Sequence, residues 1–440
     1  MEFSTHYTYR KILRSIISPV IMMICTSLYS VTDGFFLSNF AGKEAFAAVN
    51  FIIPYLMMFT SVGFMFGTGG SALIAKVLGE KKEREADEIF STLMIFSVLT
   101  GVVLAAAGMI FLKPVAIAQG ADGILLEDSL KYGKIYLLGT PASIIQYEFE
   151  TLYSTAGKGK MGLYVTVTSG TVNIGLDALF LGVFSWGITG AAVATIISQW
   201  IGGMIPFIYF GRENSSNLSL IKCRPEWKSM IRVCKNGSSE MVNNISMSVV
   251  SLLYNVQLLR YAGDDGIAAY GIMMYVNFLF TAIFWGYVSG MAPVISFNYG
   301  AEKKDELKSL LRKSIVIIST GSVIMFCLAE LLARPVSMIF SGYDQELLNM
   351  TTHGFRLFSI SFLFAGLSLF SSSFFTALNN GLVSAILSFL RVFAFQIPAV
   401  LLLPEFFNLD GIWAAIVVAE SMTVVIGTLF LIKNKKKYEY

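Results

Sequence analysis

Four oxygen-bearing side chains lie in otherwise apolar stretches of the sequence, where ionisable and strongly polar groups are rare and costly. They are Asp33 in the first apolar stretch, Asn173 and Asp177 in the fifth, and Thr195 in the sixth. Because Asn173 and Asp177 are four residues apart, they share one face of a helix. Carboxylate, carboxamide and hydroxyl oxygens are ligands for small hard cations, and two carboxylates withdrawn from water can instead hold a proton. The residues therefore predict a cation or proton site, although a purely structural role for the two aspartates stays open.

A second polar set lies in the C-terminal half of the chain. Glu240 lies about two turns inside the seventh apolar stretch, Arg391 midway along the eleventh, and Glu420 midway along the twelfth. An arginine at this depth is costly unless it is paired, so we expect an ion pair between Arg391 and Glu420, with Glu240 as a second partner. The alternative is that Glu240 faces a cavity and attracts a cationic substrate.

The elements that position these residues follow from composition. Hydrophobic residues make up 55% of the 440 residues and charged residues 14%, against about 25% charged residues in soluble domains. A membrane-spanning helix needs roughly 20 apolar residues, and the sequence contains twelve such stretches separated by polar turns. They are 12–38, 45–78, 89–112, 132–156, 161–184, 188–210, 233–259, 266–298, 310–332, 350–377, 382–404 and 410–432. We therefore predict an all-α polytopic membrane protein with twelve transmembrane helices.

The longest polar connection, 212–229, falls midway along the chain. It predicts an N-terminal six-helix lobe over 1–211, a cytoplasmic linker, and a C-terminal six-helix lobe over 230–440. Lys and Arg are far more frequent in the loops on one side of the predicted membrane than on the other, and such loops stay in the cytoplasm. We expect both termini there. With this orientation the predicted depths of Asp33, Asp177 and Thr195 agree, so these side chains can converge within the N-terminal lobe.

The two halves are related in sequence. At a constant separation of 221 positions, Gly79 corresponds to Gly300 and Pro114 to Pro335, and the charged loops and tight turns between the apolar stretches also coincide. Six spans in each half give both halves the same orientation in the membrane. Parallel repeats of this kind are typical of transporters, whose substrates pass between the halves near the membrane midplane.

Several classes of function are disfavoured by the residue types. The sequence has two histidines and four cysteines without paired spacing, so it predicts neither a disulfide framework nor a histidine-based metal or catalytic cluster. We expect no enzymatic activity, no cofactor and no nucleic-acid partner. Glu148 and Glu150, which precede Lys158 and Lys160, are interpreted as anchors at the cytoplasmic membrane interface.

Motifs distributed over the whole chain resemble those of the multidrug and toxic compound extrusion (MATE) family, in particular its bacterial DinF-like and MepA-like branch. They are Ser30-Val31-Thr32-Asp33-Gly34, Ala47-Ala48-Val49-Asn50 with Pro54, Gly69-Gly70-Ser71 before Leu78-Gly79-Glu80-Lys81-Lys82, Pro293-Val294-Ile295-Ser296-Phe297-Asn298-Tyr299-Gly300, Leu390-Arg391-Val392 with Pro398, and Gly411-Ile412-Trp413 with Ala419-Glu420. The resemblance implies two six-helix lobes arranged as a V in a bacterial inner membrane. It also implies antiport by alternating access, in which H⁺ or Na⁺ enters as an amphipathic, often cationic compound leaves.

The resemblance also implies roles for individual residues. Asp33, Asn173, Asp177 and Thr195 match the family's coupling-ion residues, and Asp33, Asn173 and Asp177 would be the metal ligands if the ion is Na⁺. Candidates for a substrate site or a second acidic site are Glu240, Arg391, Glu420 and Asn50. We expect a monomer in the lipid bilayer.

Two other classes remain open on the sequence alone. A flippase for a lipid-linked or endogenous metabolite precursor, from the same superfamily, would favour a cationic cavity and often has extra helices. A membrane enzyme would need His, Asp or Ser clustered at one membrane face.

Overall fold

The computed structural model describes residues 6–341 and 344–440, which form helices joined mostly by short turns. In the N-terminal half the α-helices are α1 (Tyr9–Phe36), α2 (Lys43–Gly79), α3 (Glu83–Ala118), α4 (Gly123–Leu138), α5 (Thr140–Thr155), α6 (Gly159–Asp177) and α7 (Gly187–Phe210). In the C-terminal half they are α8 (Trp227–Gly300), α9 (Lys304–Ser341), α10 (Gln345–Ser359), α11 (Phe362–Ala377), α12 (Gly381–Phe389) and α13 (Ile397–Tyr438).

These helices make twelve spans in the described part of the chain, as predicted. The fourth span consists of α4 and α5, which are separated at Gly139. Pro141 lies in the first turn of α5, where a missing N–H is tolerated. The tenth span consists of α10 and α11, bent by 44°. Helix α8 contains the seventh and eighth spans, because Gly263 adopts φ 64° and ψ −152° between them. The eleventh span starts with α12, and α13 changes direction at Asn408, where the twelfth span begins.

Within α8, the eighth span is long and apolar enough to cross a membrane by itself, whereas the seventh span is more polar. Its residues Asn236, Glu240, Asn243 and Ser246 are all buried within the protein. Polar side chains in a span that face protein rather than lipid can be paired there, so the polarity of this span marks an inward-facing surface.

Three short π-helical turns interrupt the α-helical geometry, at Leu37–Ala41, Ala178–Val183 and Leu390–Gln396. The first follows Asp33 by one turn, and the second begins directly after Asp177. The third contains Arg391. Wider turns of this type often lie at functional sites, and here each adjoins a charged residue that the sequence analysis singled out.

The two halves touch through closely packed backbones of α2 and α8. A β-carbon added at Gly79 would lie 2.1 Å from the backbone oxygen of Phe297, and one added at Gly300 would lie 2.0 Å from that of Lys76. Real β-carbons are not found at such distances, so these positions accept only glycine without a shift of the helices.

A second reciprocal contact joins α2 to the seventh span, near the start of α8. A β-carbon added at Gly69 would lie 2.1 Å from the backbone oxygen of Val233, and one added at Gly237 would lie 1.9 Å from the backbone oxygen of Met65. We call Gly69, Gly79, Gly237 and Gly300 together the glycine seam. The seam lies on the side of the molecule whose loops are rich in Lys and Arg.

The segment between α7 and α8 is not helical, but it is held against α3. The backbone N–H of Ser219 donates to Asp87 at 2.8 Å, and that of Ile221 donates to the Ser91 hydroxyl at 2.9 Å. The linker therefore lies along the N-terminal half rather than free between the halves. The lobe boundaries given above stay a prediction.

Candidate functional site

A cavity of about 180 Å³ lies in the N-terminal half, between α1, α2, α4, α5, α6 and α7. Three of the four residues predicted to bind an ion line it: Asp33 from α1, Asn173 from α6 and Thr195 from α7. The fourth, Asp177, is fully buried at the end of α6, beside Asp33. The structure thus brings all four predicted residues to one place.

The carboxylates of Asp33 and Asp177 lie close enough to each other to interact. Both carboxylate oxygens of Asp177 and the buried Oδ1 of Asp33 have no hydrogen-bond donor among the described residues. Ionised carboxylates only accept hydrogen bonds, and like charges so close out of water repel strongly. A proton or a small cation between the two groups would satisfy both, so the pair has the chemistry of a cation site.

Asn173 and Thr195 can add neutral oxygens to this pair. Asn173 is buried, and its Nδ2 has no partner in the described part of the chain. The Thr195 hydroxyl donates to the backbone oxygen of Ala191 at 3.0 Å, which leaves its lone pairs available as acceptors. Two carboxylates with a carboxamide and a hydroxyl are hard oxygen ligands suited to a small cation.

The donor set also limits what can bind. The described residues contain no group of three or more His, Cys, Asp or Glu side chains placed to hold a metal ion. A transition-metal centre would need such a group, whereas Na⁺ or a proton does not. The ligands that the cluster around Asp33 and Asp177 offers are oxygens, which suit a hard cation or a proton.

The second predicted cluster forms around Arg391. Its Nη1 lies 3.7 Å from Oε1 of Glu420, and its Nη2 donates to Asn243 at 3.2 Å. Glu240 is buried beside both Arg391 and Asn243. The adjoining cavity is only about 10 Å³, room for about one water molecule. This arrangement favours the ion-pair interpretation over a substrate site at Glu240.

Asn50, the remaining predicted residue, is exposed on α2 and lines neither of these cavities. Its Nδ2 donates to the backbone oxygen of Phe46 at 2.8 Å. The structure therefore does not join Asn50 to either cluster.

The interpretation of Glu148 as an interface anchor is wrong. Glu148 is fully buried and accepts a hydrogen bond from the Ser97 hydroxyl of α3. Lys158 instead donates to Ser215 of the linker at 2.8 Å. Gly157, with φ 71°, turns the chain between Glu148 and Lys158, so these two residues are close in sequence but do not pair.

Residues that the sequence analysis missed complete the cavity wall. Tyr29 of α1, Tyr132 and Tyr136 of α4, and Tyr147 of α5 all line it. One signal was present, since Tyr132 and Tyr136 have i, i+4 spacing inside one predicted span. Tyrosine is also enriched at membrane interfaces, however, so spacing alone does not separate a cavity wall from an interface belt.

Comparisons with known proteins agree with this architecture. The MatE family model matches residues 19–179 and again 241–402, once in each half of the chain. The multidrug export protein MepA of Staphylococcus aureus is 25% identical over 420 residues, covering 93% of this chain and 91% of MepA. A crystal structure of MATE in complex with MaL6 superposes with TM-score 0.93 at 20% identity, covering 99% of this chain and 98% of the other. The outward-facing structure of a multidrug resistance MATE family transporter of the MOP superfamily gives TM-score 0.90 at 20% identity, covering 99% and 97%.

Proposed function

This chain belongs to the MatE family of multidrug efflux transporters, and from that premise we propose that it exports amphipathic, often cationic compounds in exchange for an inward-moving cation. As a member of this family it is a transporter and not an enzyme. The observation that carries the proposal is the pair of half-buried Asp33 and fully buried Asp177 at the cavity. Oδ1 of Asp33 and both carboxylate oxygens of Asp177 are buried without a donor among the described residues. A site that needs a cation to be satisfied can use the gradient of that cation.

The coupling follows from the charge of this pair. With no cation bound, the negative site attracts a cationic substrate into the cavity. When a proton or Na⁺ binds between Asp33 and Asp177, the negative charge falls and the substrate is held less well. The π-helical turns that follow both residues supply backbone that can repack when the charge changes. Differential affinity of the two states for ion and substrate is what couples the two fluxes.

Alternating access requires the halves to separate at one end and close at the other. The glycine seam supports this proposal, because at its four glycines the backbones of α2 and α8 lie in direct contact. Small residues at helix interfaces let backbones approach closely. Opening the predicted cytoplasmic side would part the helices along this seam, with both termini on the cytoplasmic face of a bacterial inner membrane.

The cavity wall argues against the main alternative, a flippase for a lipid-linked or endogenous metabolite precursor. Such a substrate carries anionic phosphate and favours a cationic cavity. The described lining residues include Asp33 and several tyrosines, with no Lys, Arg or His among them. The cavity therefore suits a cation better than a phosphate.

The test is export from proteoliposomes under an imposed gradient. Purified protein is reconstituted, a fluorescent cationic dye is loaded, and either a proton or a Na⁺ gradient is applied separately. We expect one of the two gradients to drive export in the unmodified protein and Asp33→Asn to reduce it at least about tenfold, equivalent to about 1.4 kcal/mol.

Glu405→Gln is the matched control, because Glu405 is an exposed carboxylate that pairs with Arg260 away from the cavity. It should leave gradient-driven export unchanged. Full gradient-driven export by Asp33→Asn would show that the proposed coupling is wrong.

A further inference from the structure

We propose that the cavity beside Asp33 is an aromatic cage that binds the small ammonium head group of a cationic substrate. The inference rests on the proposed function and names the chemical class that this cavity takes. It is carried by the four tyrosines of the cavity wall rather than by the carboxylate pair.

The tyrosines approach the cavity from three helices. Tyr29 comes from α1, Tyr132 and Tyr136 from α4, and Tyr147 from α5. A cation within about 6 Å of an aromatic ring is attracted by the ring's quadrupole, and quaternary ammonium ligands are recognised by several such rings at once. Four phenol rings around one small cavity provide this kind of surface.

The rings are held in place by their neighbours. Tyr132 and Tyr136 stack with centroids 6.0 Å apart and an angle of 26°, and Tyr147 lies 4.6 Å from the ring of Phe64. The Tyr132 hydroxyl lies beside Thr195, and that of Tyr136 beside Gln199. Because these hydroxyls already have polar neighbours in the protein, the rings are what these side chains offer a ligand. A wall fixed in this way costs little ordering on binding.

Charge and size narrow the ligand further. Asp33 lines the cavity, Asp177 lies beside it, and the described wall carries no basic side chain. The two carboxylates therefore attract a cationic ligand more strongly than a neutral ligand of the same shape. At about 180 Å³ the cavity is smaller than the roughly 300–1,000 Å³ of pockets for drug-sized ligands. It accommodates a head group such as trimethylammonium, while the apolar remainder of a substrate would extend toward the space between the halves.

The test uses tetramethylammonium and its uncharged analogue tert-butanol, titrated by calorimetry into the purified full chain in nanodiscs without any gradient. We expect tetramethylammonium to bind and tert-butanol not to bind at the same concentrations. Tyr147→Leu removes one ring and should weaken tetramethylammonium about tenfold, while Tyr147→Phe should stay within about threefold of the unmodified protein.

Tyr164→Leu is the matched control, because Tyr164 is 69% exposed on the outer surface of α6. It should leave tetramethylammonium binding unchanged. Elution of each variant as a single species in size exclusion separates loss of the ring from loss of the fold, and Tyr147→Phe serves as the folded reference for this position.

The proposal is overturned if tetramethylammonium does not bind, if tert-butanol binds equally well, or if Tyr147→Leu binds like the unmodified protein. These outcomes are separate from failure of the proposed function, because binding is measured without a gradient. An unaffected Tyr147→Leu together with an inactive Asp33→Asn would reject the cage and leave cation exchange standing.

Discussion

The guanidinium of Arg391 lies 3.7 Å from the carboxylate of Glu420 and donates from its other terminal nitrogen to Asn243 at 3.2 Å. Both charged side chains are largely buried, with 18% and 10% exposure. Glu240 lies next to the same guanidinium, so two carboxylates share one arginine across the seventh, eleventh and twelfth spans. Removing one charged side chain from a buried ion pair lowers the stability of the fold by more than the pair contributes to it, because the remaining charge is left buried and unpaired.

We therefore predict that Arg391→Gln destabilises the protein strongly. It would leave Glu240 and Glu420 buried without their cation, at a cost of about 3 kcal/mol in the free energy of unfolding. Arg391→Gln combined with Glu420→Gln should recover part of that loss, because one unpaired carboxylate disappears. Thermal unfolding in detergent measures both effects, and the double-mutant cycle isolates the pair.

The control for this prediction is Arg260→Gln. Arg260 and Glu405 form an exposed pair at 2.8 Å, and exposed pairs contribute little, so its unfolding temperature should not change measurably. An unfolding temperature for Arg391→Gln equal to that of Arg260→Gln would contradict the structural role of the cluster.

Asn173 distinguishes the two coupling ions. If Na⁺ is the ion, Asn173→Ala removes a neutral oxygen ligand and should raise the Na⁺ concentration for half-maximal export about tenfold, whereas Asn173→Asp should retain or tighten Na⁺ binding. If the ion is a proton, the carboxylates alone carry it, and Asn173→Ala should leave proton-driven export within about threefold. The measurement is initial export rate against Na⁺ concentration and, separately, against pH. If export is driven by Na⁺ and Asn173→Ala leaves the half-maximal Na⁺ concentration unchanged, Asn173 is not a ligand of the coupling ion.

The glycine seam predicts a specific steric effect. Gly79→Val places a side chain where the added β-carbon would lie 2.1 Å from the backbone oxygen of Phe297, so α2 and α8 must move apart. We expect longer distances between spin labels at the ends of α2 and α8 and faster labelling of a cysteine introduced beside the seam.

Gly271→Val is the matched control, because a β-carbon at Gly271 of α8 meets nothing within 4 Å. It should leave label distances and cysteine labelling unchanged. Equal behaviour of the two variants would mean that the seam does not hold the halves together.

Glu148 offers a test of a buried carboxyl outside the proposed site. Glu148→Gln keeps the shape and an acceptor for the Ser97 hydroxyl, so we expect unchanged gradient-driven export. Glu148→Ala leaves a void and an unpaired Ser97, and it should lower stability by about 2 kcal/mol. Thermal unfolding and the export assay measure the two properties separately. Loss of export in a stable Glu148→Gln would instead place Glu148 in the transport mechanism.

Much of this fold could be predicted because apolar length fixes the spans. The orientation that the distribution of Lys and Arg indicates stays a prediction. The depth of Asp33, Asp177 and Thr195 then followed by counting residues, and the structure places them together. Tyr132 and Tyr147 could not be found in this way, since a ring at a cavity wall and a ring facing lipid look the same in sequence. The partner of Glu148 could not be predicted either. The turn at Gly157 separates Glu148 from Lys158, and the packing of α3 on α5 brings Ser97 to Glu148 instead.

One of the two contacts in the seam, the contact at Gly79 and Gly300, also has a symmetry. Gly79 contacts Phe297 while Gly300 contacts Lys76, and the members of each corresponding pair, Gly79 with Gly300 and Lys76 with Phe297, are 221 positions apart. The two contacts are thus one contact made twice about an axis, which is the isologous geometry of a homodimer interface. Each half therefore presents the same local patch to the other half at this contact. In this respect the transporter is a dimer whose two subunits share one chain.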